Sequence, residues 1–410
     1  MLSLVFGTGL AAAADAAPEV AVGPAGQAFY NPPDPLPKGK HGDLIWAREL
    51  RKAPKGADAW RILYRSTDRN GKATVSSGFL VAPKGRAPKA GRPVLAWAHG
   101  TEGAADNCAP SKVPSPARGL VDFFTYESPF QQDTGVPAIQ RFIDAGYAIV
   151  ATDYAGLGTP GTQHYTVAQP ELRNVLDSVI ATQRFAPAAG GKKTVILGWS
   201  QGGGAAIWAN QEAAYAPSVK VLGAAALAPA ADIGPQFAGQ TPPGPVTPSS
   251  PFHGAAIEVN VYVGNSAAYR ELDPSDVLTP AGLAAFNGAL IQCINHLAYV
   301  IENNYATPED LRALFVPGPK PADWQRRFNE NTAGQEATVA PLLVMQGLAD
   351  TVINPNATTQ YVQRACRFDQ PVQYTLYPTA THQTVPLQAK PEYIPWIADR
   401  FAGRPAPSNC

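Results

Sequence analysis

The chain has 410 residues, no formal net charge, 16% charged and 45% apolar residues, a length that accommodates one large domain with an insertion, or two domains. The charged fraction is below the roughly 25% usual in soluble proteins, there is no basic run and the six histidines are scattered, which argues against a nucleic-acid-binding surface. With 41 prolines and 37 glycines, many turns and stiffened loops are expected rather than a helical bundle.

The chain opens on Leu2-Ser3-Leu4-Val5-Phe6-Gly7-Thr8-Gly9-Leu10, followed by alanines and Asp15. This has the apolar and cleavage regions of a secretory signal, without the usual positive start, and cleavage after Ala14 or Ala17 fits the small-residue rule. Residues 1–17 are therefore expected to be a signal peptide, and the mature protein to be secreted, outside the cell or in a periplasm. No other apolar run approaches the roughly 18 residues of a membrane span, so no transmembrane segment is expected. Residues 18–60 are proline-rich and read as an extended lead-in. Strand-like runs follow at Arg61–Tyr64, Thr74–Val81, Val94–Ala98, Ala148–Thr152, Thr194–Leu197, Val221–Leu227, Leu342–Met345 and Val372–Leu376. Between them lie helical stripes: Val136, Ile139, Phe142 and Ile143, then Leu172, Val175, Leu176, Val179 and Ile180. Short continuous apolar strands alternating with amphipathic helices predict an α/β fold, a mostly parallel sheet covered on both faces.

The run Thr194–Leu197 leads directly into Gly198-Trp199-Ser200-Gln201-Gly202. A buried strand running into Gly-x-Ser-x-Gly and then a helix is the signature of a nucleophile elbow. The glycines are needed because side chains two residues before and after the serine would collide with neighbouring backbone. The turn also puts Ser200 at a helix N-terminus, where N–H groups and the helix dipole favour an oxyanion. From Ala230 to about Pro341 the strand–helix rhythm stops. A proline-rich run, Thr241 to Pro248, is followed by helical segments, of which Gly282–Ile301 is the clearest. Roughly 110 residues stand where a connection of ~4–6 is usual. Residues 230–341 are read as a helical cap or lid, inserted between core parts 18–229 and 342–410; a spliced-in independent domain is the alternative.

A serine hydroxyl needs an imidazole to accept its proton and a carboxylate to orient that imidazole. With an elbow of this type the chain order is serine, acid, histidine. Asp350 follows Leu342–Met345 in a loop shaped by Pro355, where a purely structural Asx-turn is the competing role. His382 is the only histidine downstream of Asp350 and becomes the candidate base. The expected oxyanion donors are the N–H of Gln201 and, in His99-Gly100-Thr101-Glu102-Gly103, Thr101 through its N–H and its hydroxyl. His99 is read as a prop for this loop, and Asp153 as a rival acid that breaks the order. The cysteines, Cys108, Cys293, Cys366 and Cys410, are even in number and lack C-x-x-C spacing. With export they favour two disulfides, of three possible connectivities, over a zinc or redox site.

The elbow, the His99–Thr101 loop, Cys108-Ala109-Pro110-Ser111 and Asp153-Tyr154-Ala155-Gly156-Leu157-Gly158 together resemble the secretory lipase family, from about residue 30 to the C-terminus. The resemblance implies an α/β-hydrolase fold with a helical lid and hydrolysis of carboxylic esters without cofactor or metal. Ser200, Asp350 and His382 match the family's triad, and Thr101 and Gln201 its oxyanion positions. It further implies the pairings Cys108–Cys293 and Cys366–Cys410. An ester or lipid substrate, met in transient contact with a lipid interface, and a monomer are expected. The family's type member has an acidic residue where Thr101 stands and glycine where Gln201 stands, which leaves a short-chain esterase open beside a lipase. An acyltransferase or peptidase would use the same triad, and a non-catalytic binding module is the reading outside enzymes.

Overall fold

The computed structural model describes residues 20–120, 135–237, 251–307 and 309–410. The expected signal peptide and the run Thr241 to Pro248 lie outside these residues. Nine strands, β1 (Leu44–Glu49), β2 (Ala57–Thr67), β3 (Ala73–Pro83), β4 (Arg92–Ala98), β5 (Ala148–Thr152), β6 (Gly190–Trp199), β7 (Lys220–Leu227), β8 (Leu342–Gly347) and β9 (Val372–Tyr377), form one sheet. Its order is β1-β2-β3-β5-β4-β6-β7-β8-β9. The pairs from β1 to β5 through β3 are antiparallel, and those from β5 through β4 to β9 are parallel. Strands β5 and β8 are buried at every position, which is why their sequences are unbroken apolar runs rather than alternations.

The first strand corrects the expected lead-in. Leu44–Glu49 pairs with β2, yet only Ala47 in it is buried. An edge strand carrying Arg48 and Glu49 has neither an apolar run nor a clean alternation to betray it.

Eleven helices are described: α1 (Ile139–Asp144), α2 (Ala168–Arg184), α3 (Gln201–Gln211), α4 (Ile233–Phe237), α5 (Pro251–Ala268), α6 (Pro280–Ala289), α7 (Ile294–Asn304), α8 (Ala322–Glu330), α9 (Pro355–Ala365), α10 (Val385–Gln388) and α11 (Lys390–Phe401). Helices α2, α3 and α9 cover one face of the sheet; the stripe Leu172, Val175, Leu176, Val179 and Ile180 is buried there. Helices α1, α10 and α11 cover the other, with Phe142, Val385, Tyr393 and Ile397 in the core. This is the α/β-hydrolase arrangement.

Helices α4 to α8 lie in sequence between β7 and β8. Val259, Val263, Ile294, Leu297 and Ile301 form one apolar cluster of α5 and α7, and Tyr262, Tyr269, Trp324 and Phe328 form another with Tyr165. The single helix expected over Gly282–Ile301 is in fact two, α6 and α7, separated at residues 290–293. The break has a tertiary cause. Cys293 is bonded to Cys108, it pairs with Gly103 in an isolated antiparallel bridge, and Ile294 N–H donates to the Glu102 carbonyl at 3.0 Å. Docking on the loop after β4 leaves no room for continuous helix there.

The second disulfide, Cys366–Cys410, ties the C-terminal tail to the end of α9. Beside it, Asn409 N–H donates to the Val372 carbonyl at 2.9 Å, and the Asn409 side chain both accepts from Tyr374 N–H and donates to the Tyr374 carbonyl, each at 2.8 Å. No described helix is long and apolar enough to cross a membrane.

Candidate active site

Strand β6 ends at Trp199 and α3 begins at Gln201, leaving Ser200 alone at the turn with φ 56° and ψ −120°. A residue bearing a Cβ pays strain in that region, and the surroundings fix it. Ser200 N–H donates to the Leu227 carbonyl at 2.9 Å, while its own carbonyl accepts from Gly204 and Ala230 N–H at 3.1 and 2.9 Å. A Cβ on Gly198 would stand 2.0 Å from the Gly202 carbonyl oxygen, and one on Gly202 1.9 Å from that of Ala98. Both glycines are thus sterically required.

Asp350 lies between β8 and α9, and its two oxygens do different things. Oδ1 accepts from Val352 and Ile353 N–H, both at 2.8 Å, which closes the Asx-type turn. Oδ2 accepts from His382 Nδ1 at 2.8 Å and from Gln346 Nε2 at 3.0 Å. The Asx-type turn and the bond to His382 coexist in one side chain, since a carboxylate has lone pairs for both. His382, in the loop between β9 and α10, is fixed from behind: its carbonyl accepts the Trp199 indole N–H at 3.0 Å, and its ring lies 5.2 Å from that indole. With Nδ1 committed to Asp350, Nε2 points away from the carboxylate. Ser200 and His382 line one cleft, together with Trp199 and Val352, with His253 and Ile257 of α5 and with Ile294 of α7.

Thr101 borders the same cleft, and its hydroxyl is 2.6 Å from the Tyr165 hydroxyl. Gln201 is buried and its side chain donates to Glu171 Oε1 at 2.7 Å. That oxygen also accepts from Thr166 N–H at 2.9 Å. Burial pushes the Glu171 carboxyl up to about 8, against the pull of those two hydrogen bonds. His99 is bonded within its own loop, Nδ1 donating to the Gly100 carbonyl at 2.7 Å, and burial holds its imidazole below the usual range. Asp153 accepts from Ser77 Oγ (2.6 Å), Ser111 N (2.9 Å) and Ser111 Oγ (2.5 Å), so it fastens the loop around Ser111 to the sheet. The carboxylate bonded to His382 is that of Asp350.

Three residues at the site escaped the sequence reading. His253 reaches the cleft from α5, where burial first and then the charge of His382 hold its imidazole down to about 4. Nothing local in the sequence marks it. Tyr165 lies in a loop with no motif. Glu171 did carry a signal: it stands four and eight residues before Val175 and Val179, a carboxylate at the head of an apolar stripe.

Residues 128–240 match the family model described as secretory lipase. The chain is 23% identical to Lipase 5 of Candida albicans, over 94% of its own length and 83% of that protein's. Its fold superposes on the X-ray structure of Candida antarctica lipase A with a TM-score of 0.72 at 17% identity, covering 92% of this chain and 86% of the other. The rice cell wall degrading esterase LipA from Xanthomonas oryzae superposes with a TM-score of 0.70 at 17% identity, covering 89% and 99%. A matching family model over part of the chain, a relative aligned along nearly all of it and two neighbours of the same fold agree with one another: the chain is similar to the secretory lipases and has the α/β-hydrolase fold.

Proposed function

We propose that this carboxylic ester hydrolase is secreted and works through an acyl-enzyme, with Ser200 as nucleophile, His382 as base and Asp350 as the carboxylate that orients it. His382 Nε2 takes the Ser200 proton as Oγ attacks the ester carbonyl carbon. The carbonyl electrons move to the oxygen, which is held by the N–H groups of Thr101 and of Gln201 at the start of α3. The tetrahedral adduct collapses, the alkoxide leaves with the proton carried by His382, and Ser200 keeps the acyl group. Water then attacks the acyl carbon, giving its proton to His382, and the carboxylic acid departs as Ser200 recovers its proton. No step draws on a cofactor. Helices α4 to α8 are read as the cap, with Ile257 and Ile294 bounding the acyl side of the cleft.

The observation that carries this reading is the 2.8 Å bond from His382 to Asp350, made by an imidazole that shares its cleft with the strained serine. A fluorophosphonate probe tests it. Labelling is expected at Ser200 and to vanish in Ser200→Ala, together with roughly 10⁶ of kcat. Ester hydrolysis retained by a well-folded Ser200→Ala protein would refute the mechanism.

A further inference from the structure

The two expected oxyanion donors come from chain segments a hundred residues apart, and one buried group of side chains links them. Glu171, in the first turn of α2, is 5% exposed and takes both Gln201 Nε2 and Thr166 N–H on Oε1. Next to Thr166, Tyr165 holds the Thr101 hydroxyl. The Tyr165–Thr166 peptide is itself set: Thr166 has φ +59°, and a Cβ on Gly264 of α5 would stand 2.3 Å from Tyr165 N. Asn265 Nδ2 closes on the Tyr165 carbonyl and the Thr166 hydroxyl at 3.5 and 3.3 Å. The geometry points to Glu171 as a positioning residue of the ester hydrolysis, which, with Tyr165, fixes the spacing of the Gln201 and Thr101 donors around the oxyanion. This rests on the reading of Ser200, Thr101 and Gln201 given above.

The chemistry of the carboxyl sharpens the inference. Burial raises Glu171 to about 8, so it is largely neutral at pH 7. The ionisable groups facing it are the phenols of Tyr154 and Tyr165, both pushed far up by burial and so uncharged in this range, Tyr154 being raised further by the charges of Glu171 itself and of Glu102. Ionisation of Glu171 places a negative charge one side chain away from where negative charge develops in the transition state. A substrate still binds, but the oxyanion is disfavoured. The loss therefore falls on kcat as pH rises through about 8, and not on KM.

The test measures kcat and KM on p-nitrophenyl butyrate from pH 6 to 9.5 for the intact protein, Glu171→Gln and Glu171→Leu, with thermal melts of each. Glu171→Gln keeps an acceptor for both donors and cannot ionise. The unsubstituted enzyme is expected to lose about tenfold in kcat above pH 7 with a midpoint near 8; Glu171→Gln is expected to hold kcat within about threefold at pH 7 and to lack that fall. Glu171→Leu is expected to lose on the order of tenfold or more in kcat at pH 7 with KM little changed. The inference is overturned if the enzyme shows no such alkaline fall, if Glu171→Gln shows the same one, or if Glu171→Leu keeps full kcat. Should Glu171→Leu not fold, the Glu171→Gln profile alone decides. Absence of fluorophosphonate labelling at Ser200 in the unsubstituted protein would mean that the underlying reading has failed. Labelling with an unaltered Glu171→Gln profile would sink only the role of Glu171.

Discussion

The carbonyl oxygen of Ala98 lies 1.9 Å from the point where a Cβ on Gly202 would stand. The helix after the elbow is thus pressed against the end of β4, and that end leads directly into the loop of Thr101. Ser200 and the loop of Thr101 are set by one backbone contact.

Gly202→Ala should therefore push the two apart. Overpacking of this kind costs about 1–3 kcal/mol where the backbone can shift, and here the shift moves the catalytic geometry as well. A lowered Tm and a loss of ester hydrolysis of at least about 100-fold are expected. Gly254 on α5 is the control, since a Cβ there meets nothing within 4 Å; Gly254→Ala should be neutral or stabilising by up to about 1 kcal/mol. Equal behaviour of the two variants in melts and assays would contradict the steric argument.

If Asp350 orients His382, Asp350→Asn should cut kcat by about 10⁴ by favouring the wrong imidazole tautomer. Asp153→Asn disturbs the bonds to Ser77 and Ser111 instead, so it should lower Tm while leaving most of kcat. Steady-state kinetics on both variants separate the roles, and an equal or larger kcat loss in Asp153→Asn would reverse the assignment.

The disulfides close loops of very different length, 185 residues for Cys108–Cys293 and 44 for Cys366–Cys410. Chain entropy alone assigns about 4 kcal/mol to the shorter loop and about 5 to the longer, and disulfides typically deliver about 2–4. Replacing Cys108 and Cys293 by alanine should also lower activity, because that bond anchors α7 to the loop of Thr101, proposed to hold the oxyanion. Denaturant midpoints and kcat of the two double variants check both statements, and a Cys366/Cys410 variant harmed more in kcat would oppose them.

Ile257 and Ile294 bound the cleft from the helices between β7 and β8. Each buried CH₂ of substrate contributes up to ~0.8 kcal/mol, so kcat/KM should climb with acyl length and then drop once the cleft is full. Ile257→Ala and Ile294→Ala should move that drop to longer chains in a p-nitrophenyl ester series. An unmoved profile in both would take acyl selection away from these helices.

The parallel half of the sheet was legible because β4 to β8 are buried over most of their length and announce themselves as apolar runs. The elbow was legible for a steric reason, as only glycine fits on either side of Ser200. Order along the chain pointed to Asp350 and His382 as a pair, and the two are hydrogen-bonded; that Asp350 also closes a turn depends on where each oxygen points. Edge strand β1 was missed because its pairing partner, not its composition, makes it a strand. The break between α6 and α7 was missed because a distant cysteine and the Glu102 carbonyl impose it. His253 and Tyr165 join the site through tertiary packing alone, and periodicity contains no trace of that.

The last strand of the sheet has a neighbour on one side only, β8, and its other side would offer free N–H and carbonyl groups to any strand that came by. The tail fills that side. Asn409 pairs with Val372 and Tyr374 much as an added strand would, and Cys410 fastens it there covalently. The tail thus covers groups of β9 that another molecule's strand could otherwise pair with. Replacing Cys366 and Cys410 by serine, which frees the tail and leaves Cys108–Cys293 in place, would then show itself first as loss of solubility on storage.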